Sequence, residues 1–223
     1  MNKKISMLIL SAIVALSITG CAKSEDVEVP ENKVKSIEDN VELPGSWSAD
    51  YTREEVAALY QEVLTRVEET VLFYGLEDVY KIVENEITTE NDVSVNSSYI
   101  YLDIEEPEMN RLESMYYGFK QFNSDLSIGQ LTMKLSMNLD KEVYIENGAF
   151  KFEETSFAGF SEAFTGVSER DYTELNDQIF NVITGKSDET TIENNLDGIK
   201  ETITIADDFI MYKLDTREYD FNK

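Results

Sequence analysis

Between Gln130 and Asp140 the chain alternates with period two. Leu131, Met133, Leu135, Met137 and Leu139 are separated by Thr132, Lys134, Ser136 and Asn138. Successive side chains of a strand point to opposite faces, so this segment predicts a half-buried strand with one face on a core. The stretch VSVNSSYIYLDI (93–104), rich in β-branched and aromatic residues, predicts another strand, closed by Pro107. In VYIENGAFKFEE (143–154), Asn147-Gly148 reads as a hairpin turn and, with the alternating strand, predicts a three-stranded antiparallel meander. ETITIADDFIMYKLD (201–215) restores a strand pattern, with a hairpin around Asp207-Asp208.

Other segments carry the helical period. Thr52 and Glu55 form a T-x-x-E capping box ahead of the stripe Val56, Tyr60, Val63, Val67, Val71 and Tyr74. Gly75 ends or kinks that helix, and Leu76, Val79, Tyr80, Val83 and Ile87 continue a helical face to about residue 87. Met109, Leu112, Met115, Tyr116, Phe119 and Phe122 predict a second amphipathic helix. Ser168 with Asp171 caps a further one, with Tyr172, Leu175, Ile179 and Ile183 on its face and Gly185 at its end. The sum is an α+β class: a long N-terminal amphipathic helix packed on an antiparallel meander sheet, with additional helices.

The first residues follow neither period. Lys3 and Lys4 precede an apolar run over 5–18 that is broken only by Ser6, Ser11 and Ser17, too short to span a bilayer and consistent with a secretory signal peptide. It ends in Ile18-Thr19-Gly20-Cys21, which resembles the lipobox of bacterial lipoproteins. The resemblance implies that residues 1–20 are removed and that the Cys21 thiol carries a diacylglyceryl group. The lipidated cysteine then becomes the first residue, with acyl chains such as palmitate holding the protein to the outer face of the cell membrane. Cys21 is the only cysteine, so it has no disulfide partner. Residues 21–50 are polar and hold two of the three prolines, which predicts a lipidated, acidic, flexible tether. Residues 51–223 have the length and composition of one globular domain.

Charge and residue absences narrow the function. Removing Lys3 and Lys4, with no acid among the first twenty residues, moves the formal charge from −26 to −28. Such a chain repels nucleic acid and anionic membrane, and it has no basic run for phosphates, so neither nucleic acid nor nucleotide is expected as a partner. The chain contains no histidine, which excludes Ser-His-Asp and Cys-His catalysis and HExxH zinc sites. Thr184-Gly185-Lys186-Ser187 has the end of a P-loop, but Phe180 stands where its first glycine belongs, so Gly185 reads as a helix C-cap. Asp103, Glu105, Glu106 and Glu108 cluster where a strand is expected to meet a helix, at spacings that match no calcium loop. No metal ligand, cofactor or catalytic residue is assigned.

The aromatic residues carry the remaining expectation. Tyr99 and Tyr101 share one strand face, Tyr117 lies in the crowded segment after it, and Trp47, the sole tryptophan, marks the junction of tether and domain. Surface Tyr and Trp stack on sugars or anchor peptides, so these four are the candidate ligand-binding residues. The leading expectation is a lipid-anchored envelope lipoprotein whose domain binds an envelope or secreted protein rather than catalysing. Two alternatives stand beside it: a binder of a small sugar, peptide or cation, and a carboxylate-based hydrolase.

Overall fold

The computed structural model describes residues 43–90 and 93–223. Cys21, the signal-peptide reading of 1–20 and most of the tether lie outside these residues. The described chain is α+β, with eight antiparallel strands and four α-helices.

Thr52 caps the first helix, α1 (Arg53–Phe73), through the expected box: Glu55 N donates to Thr52 Oγ1 and Thr52 N to Glu55 Oε2. Val56, Tyr60, Val63, Val67 and Val71 form its buried stripe, each fully buried side chain contributing about 1.5–3 kcal/mol. Gly75, at φ 69, ends it. A meander follows: β1 (Tyr80–Glu90), β2 (Val93–Asp103), β3 (Leu112–Phe122) and β4 (Ile128–Asn138). The short helix α2 (Lys141–Asn147), a 3-10 turn (Phe152–Glu154), α3 (Ser156–Thr165) and α4 (Thr173–Ile183) come next. The chain closes with β5 (Thr191–Leu196), β6 (Ile199–Ile205), β7 (Phe209–Asp215) and β8 (Tyr219–Asp220). The strand order is β1-β2-β3-β4-β7-β6-β5, with β8 beside the start of β4.

Four expectations are corrected. Residues 76–87 do not continue α1, because β1 begins at Tyr80. A bulge between Val83 and Glu86, with Asn85 at φ 51, shifts the two-residue alternation and imitates helical spacing. The 109–122 segment is strand β3 rather than a helix. As an interior strand it buries residues on both faces, Met115, Tyr117 and Phe119 on one and Gly118 on the other, so its apolar positions run together. Asn147-Gly148 is no hairpin. Asp140 caps α2 by accepting from Glu142 N at 3.1 Å, and Gly148 ends the helix at φ 70, the same positive φ that a hairpin turn would use. At α4 the expected Ser168–Asp171 cap does not form: Tyr172 is the N-cap without a side-chain cap bond, and Asp171, one residue before it, accepts from Thr173 N at 2.9 Å.

Cross-strand register places Ile100, Tyr117, Met133 and Leu214 on one face of the sheet, and the buried side chains of α1, α3 and α4 join them in a single core. The opposite face presents Tyr99, Tyr101, Tyr116, Lys134 and Lys213. Residues 43–50 are fastened to the domain at the β5–β6 turn. Trp47 N donates to the Asp197 carbonyl at 3.1 Å, and Asn195 Nδ2 donates to the Pro44 carbonyl at 2.8 Å. Ser46 bonds the Asp197 carboxylate through both N and Oγ, which holds that carboxyl below its usual range.

Candidate functional site

The four aromatic residues singled out in the sequence occupy three separate places. Tyr99 and Tyr101 stand on the helix-free face with Tyr116, ring centroids 5.8 and 5.4 Å from Tyr99. Tyr116 lies across Gly118, where a Cβ would collide with its ring. Such cross-strand rings are an ordinary way to stabilise a sheet. Tyr117 points the other way and is wholly buried, stacked on Tyr60 with its hydroxyl donating to the Tyr60 carbonyl at 3.1 Å. Trp47 stacks on Phe164 at 5.8 Å, and its carbonyl accepts from the Tyr219 hydroxyl at 3.0 Å, so it clasps residues 43–50 to the core. The cluster runs from Asp103 at the end of β2 through Glu105, Glu106 and Glu108 in the loop before β3, and no group of three or more potential metal ligands exists among the described residues. Thr184 is the C-cap of α4, and Gly185, next to it at φ 67, turns the chain out of the helix.

Concave surface with converging chemistry occurs elsewhere, in a cleft of about 570 Å³ between the end of α1, α3 and the loop leading into α4. Phe73 stands at its edge, 82% exposed, opposite the exposed Val167. Tyr74 follows Phe73 in edge-to-face contact at 5.1 Å and stacks on Phe160 at 5.9 Å. It reaches α3 because Gly159 has no side chain: a Cβ there would be 2.7 Å from the Tyr74 hydroxyl. Tyr172 supplies another aromatic wall. Burial, followed by the charge of Glu162, raises the Tyr74 pKa; burial also raises that of Tyr172, against the opposing effect of Arg170. Both hydroxyls therefore stay neutral at ordinary pH. Glu153, Glu162, Glu169 and Asp171 contribute carboxylates, and among the described residues no lysine or arginine forms an ion pair with them. Glu169 adopts φ 60, an unfavourable conformation for a residue with a Cβ.

Behind the cleft the loop is pinned by a buried network. Glu201, on β6, has no exposed surface. Arg170 grips it with Nη1 and Nη2 at 2.5 and 2.8 Å, the Tyr212 hydroxyl reaches it at 2.7 Å, and Asn194 Nδ2 donates at 2.8 Å. Tyr212 also meets Ser161 Oγ on α3 at 2.8 Å. Burial works to lower the Arg170 pKa, and the hydrogen bonds and charge of Glu201 outweigh it, so the guanidinium stays protonated. The same guanidinium lies over the Tyr172 ring, 5.0 Å from its centroid. One ion pair thus fixes Tyr172 and the 166–172 turn against the sheet. With Arg170 neutralised by Glu201, what remains in the cleft is aromatic surface and negative charge, a combination that attracts cations.

Sequence reasoning missed this site because its parts are remote. Arg170 and Glu201 are 31 positions apart, and neither lies in a motif. Comparison with protein-family models, with curated proteins and with solved structures gives no match.

Proposed function

We propose that the protein is an exported lipoprotein, held to the outer face of the cell membrane through Cys21, whose domain is a binding module. In this reading the long helix α1, packed on the antiparallel sheet, is the rigid scaffold, and the cleft at its end takes a cationic group with an apolar body. That group belongs to a small ligand or to an envelope or secreted protein. The supporting observation is the cleft itself, where Phe73, Tyr74 and Tyr172 stand beside Glu153, Glu162, Glu169 and Asp171, none of which takes part in the ion pairs of the described residues. Binding is favoured over hydrolysis because Glu201, the one wholly buried carboxylate among the described residues, has both oxygens engaged by its own neighbours.

Choline and N-acetyl-lysinamide are suitable probes. Each is expected to bind saturably, with NMR shifts at Tyr74 and Tyr172. Phe73→Ala removes an exposed ring and should weaken binding about 3- to 30-fold, the range of one cation–aromatic contact; unchanged affinity would remove the cleft from consideration. The anchor is tested separately. Cys21→Ser should abolish metabolic labelling with a fatty acid and release the protein from the membrane fraction, and persistent labelling would sink the lipobox reading.

A further inference from the structure

Helical spacing places Leu64, Glu68 and Leu72 on one flank of α1, with Glu62 and Arg66 on the other. The Arg66 flank is covered by α3, where the Ala163 carbonyl accepts from Arg66 Nε at 2.7 Å. The Leu64 flank faces the β1 side, since Glu68 on that flank and Glu84 on β1 both act on the Tyr60 hydroxyl. Tyr60, on the stripe beside it, stacks on Tyr117 at 5.3 Å and approaches Phe119 at 6.0 Å. Burial, and then the charges of Glu84 on β1 and Glu68 on α1, push the Tyr60 pKa to about 12, so its hydroxyl stays protonated in the field of both carboxylates.

Register puts Ile82 in line with Ile100 and Tyr117, and Ile87 in line with Asn96 and Gln121, all on the helix-bearing face. That face is buried beneath α1 and bare at β1: Ile87 is 76% exposed and Ile82 41%, and Leu72, on the same flank of α1 as Glu68, is 58% exposed. β1 is also an edge, pairing only with β2 among the described strands. Two oxygens here are buried without a hydrogen-bond partner, Tyr60 Oη and Asn96 Oδ1, although Tyr60 as a residue is only 3% exposed. A buried oxygen left without a donor is destabilising until one reaches it. The lysine of β1 cannot serve them, since Lys81 lies on the other face, over the Tyr101 ring.

We propose that the groove between the Leu64–Leu72 flank of α1 and β1 is a docking site for an extended basic segment of a partner protein. The segment adds beside β1 as a strand and sets a lysine or arginine toward Glu68, Glu84, Tyr60 Oη and Asn96 Oδ1. Main-chain bonds along an open edge give affinity in this mode, and side chains reaching over the edge give specificity. All four oxygen groups can accept hydrogen bonds, which selects a multi-donor cation, while Ile82, Ile87 and Leu72 select apolar residues on either side. A second copy of this chain fits poorly, because pairing β1 with itself opposes Glu84 and Glu86 to their own kind in a chain of net charge −26.

The test titrates a blocked ten-residue peptide of alternating lysine and valine into the full chain in a non-ionic detergent. Saturable binding is expected, with amide shifts concentrated in residues 60–72 and 80–98. Glu68→Gln with Glu84→Gln should weaken it at least tenfold. Asp188→Asn with Glu189→Gln, which changes net charge equally but on the exposed turn before β5, should leave it within twofold. Ile87→Lys, at an exposed position, should abolish binding without altering the unfolding midpoint. Equal weakening by both double variants, shifts spread over the acidic surface or confined to the cleft, or no binding at millimolar peptide would each overturn the proposal. So would a dimer in sedimentation that Ile87→Lys dissociates, which would give the groove to a second copy.

Discussion

Desolvating a carboxylate costs several kcal/mol, and at Glu201 the charge of Arg170 and two further donors offset it. Such a pair is worth little net stability against an apolar replacement, but removing one partner leaves the other stranded. Glu201→Gln should therefore lower unfolding free energy by about 3–5 kcal/mol in urea titration, since its amide would present a donor to Arg170 or Asn194. Replacing Glu201 and Arg170 together by leucine should recover much of that loss. A single-variant cost below about 1 kcal/mol would show that the pair is not closed in solution. The double variant carries functional information too: if it folds well and no longer binds cationic probes, the pair serves to position Tyr172. Nothing in the local sequence announces this pair, because a buried ion pair is a property of two distant positions meeting.

At the scale of elements, legibility depended on how many faces each segment buries. β7 buries one face cleanly, and β4 keeps a strict apolar alternation even though Thr132 is buried on its other face, so both are readable as strands, as is the stripe of α1 with its capping box. β3 packs on both sides and lost its alternation, and β1 lost its own at the Asn85 bulge. Helix α3, whose buried positions are mainly phenylalanine, gave no helix signal that was read. Positive-φ dipeptides were ambiguous in a particular way. Asn147-Gly148 ends a helix, whereas Asp197-Gly198, at φ 54 and 97, is the turn of the β5–β6 hairpin and went unread. That turn packs backbone to backbone on Gly45, where a Cβ would overlap the Asp197 carbonyl group. Gly45→Ala should cost about 1–3 kcal/mol, the usual range for forced overpacking, and lower the urea midpoint. An unaltered midpoint would mean that residues 43–50 are not fastened in solution.

For the whole molecule, net charge fixes what is repelled, and the tyrosines fix the upper pH limit of the fold. Burial raises Tyr60 and Tyr219 to about 12, and raises Tyr117 and Tyr212 well above the usual value near 10. Above pH ~10 the unfolded chain releases protons that the folded chain keeps, so this stabilisation is complete below pH ~10 and lost as pH rises through 12. Tyrosinate absorbance at 295 nm should rise in two phases, the later one coinciding with loss of circular dichroism. A single phase near pH 10 with the fold intact would contradict the burial of these rings. Residues 44–48 carry a mechanical consequence as well. Any pull on the chain ahead of Leu43 enters the domain at the clasp on the β5–β6 turn, where Pro44, Ser46 and Trp47 are each hydrogen-bonded to it. The clasp must yield before load reaches α1, so it acts as a mechanical fuse that keeps tension on the chain away from the core.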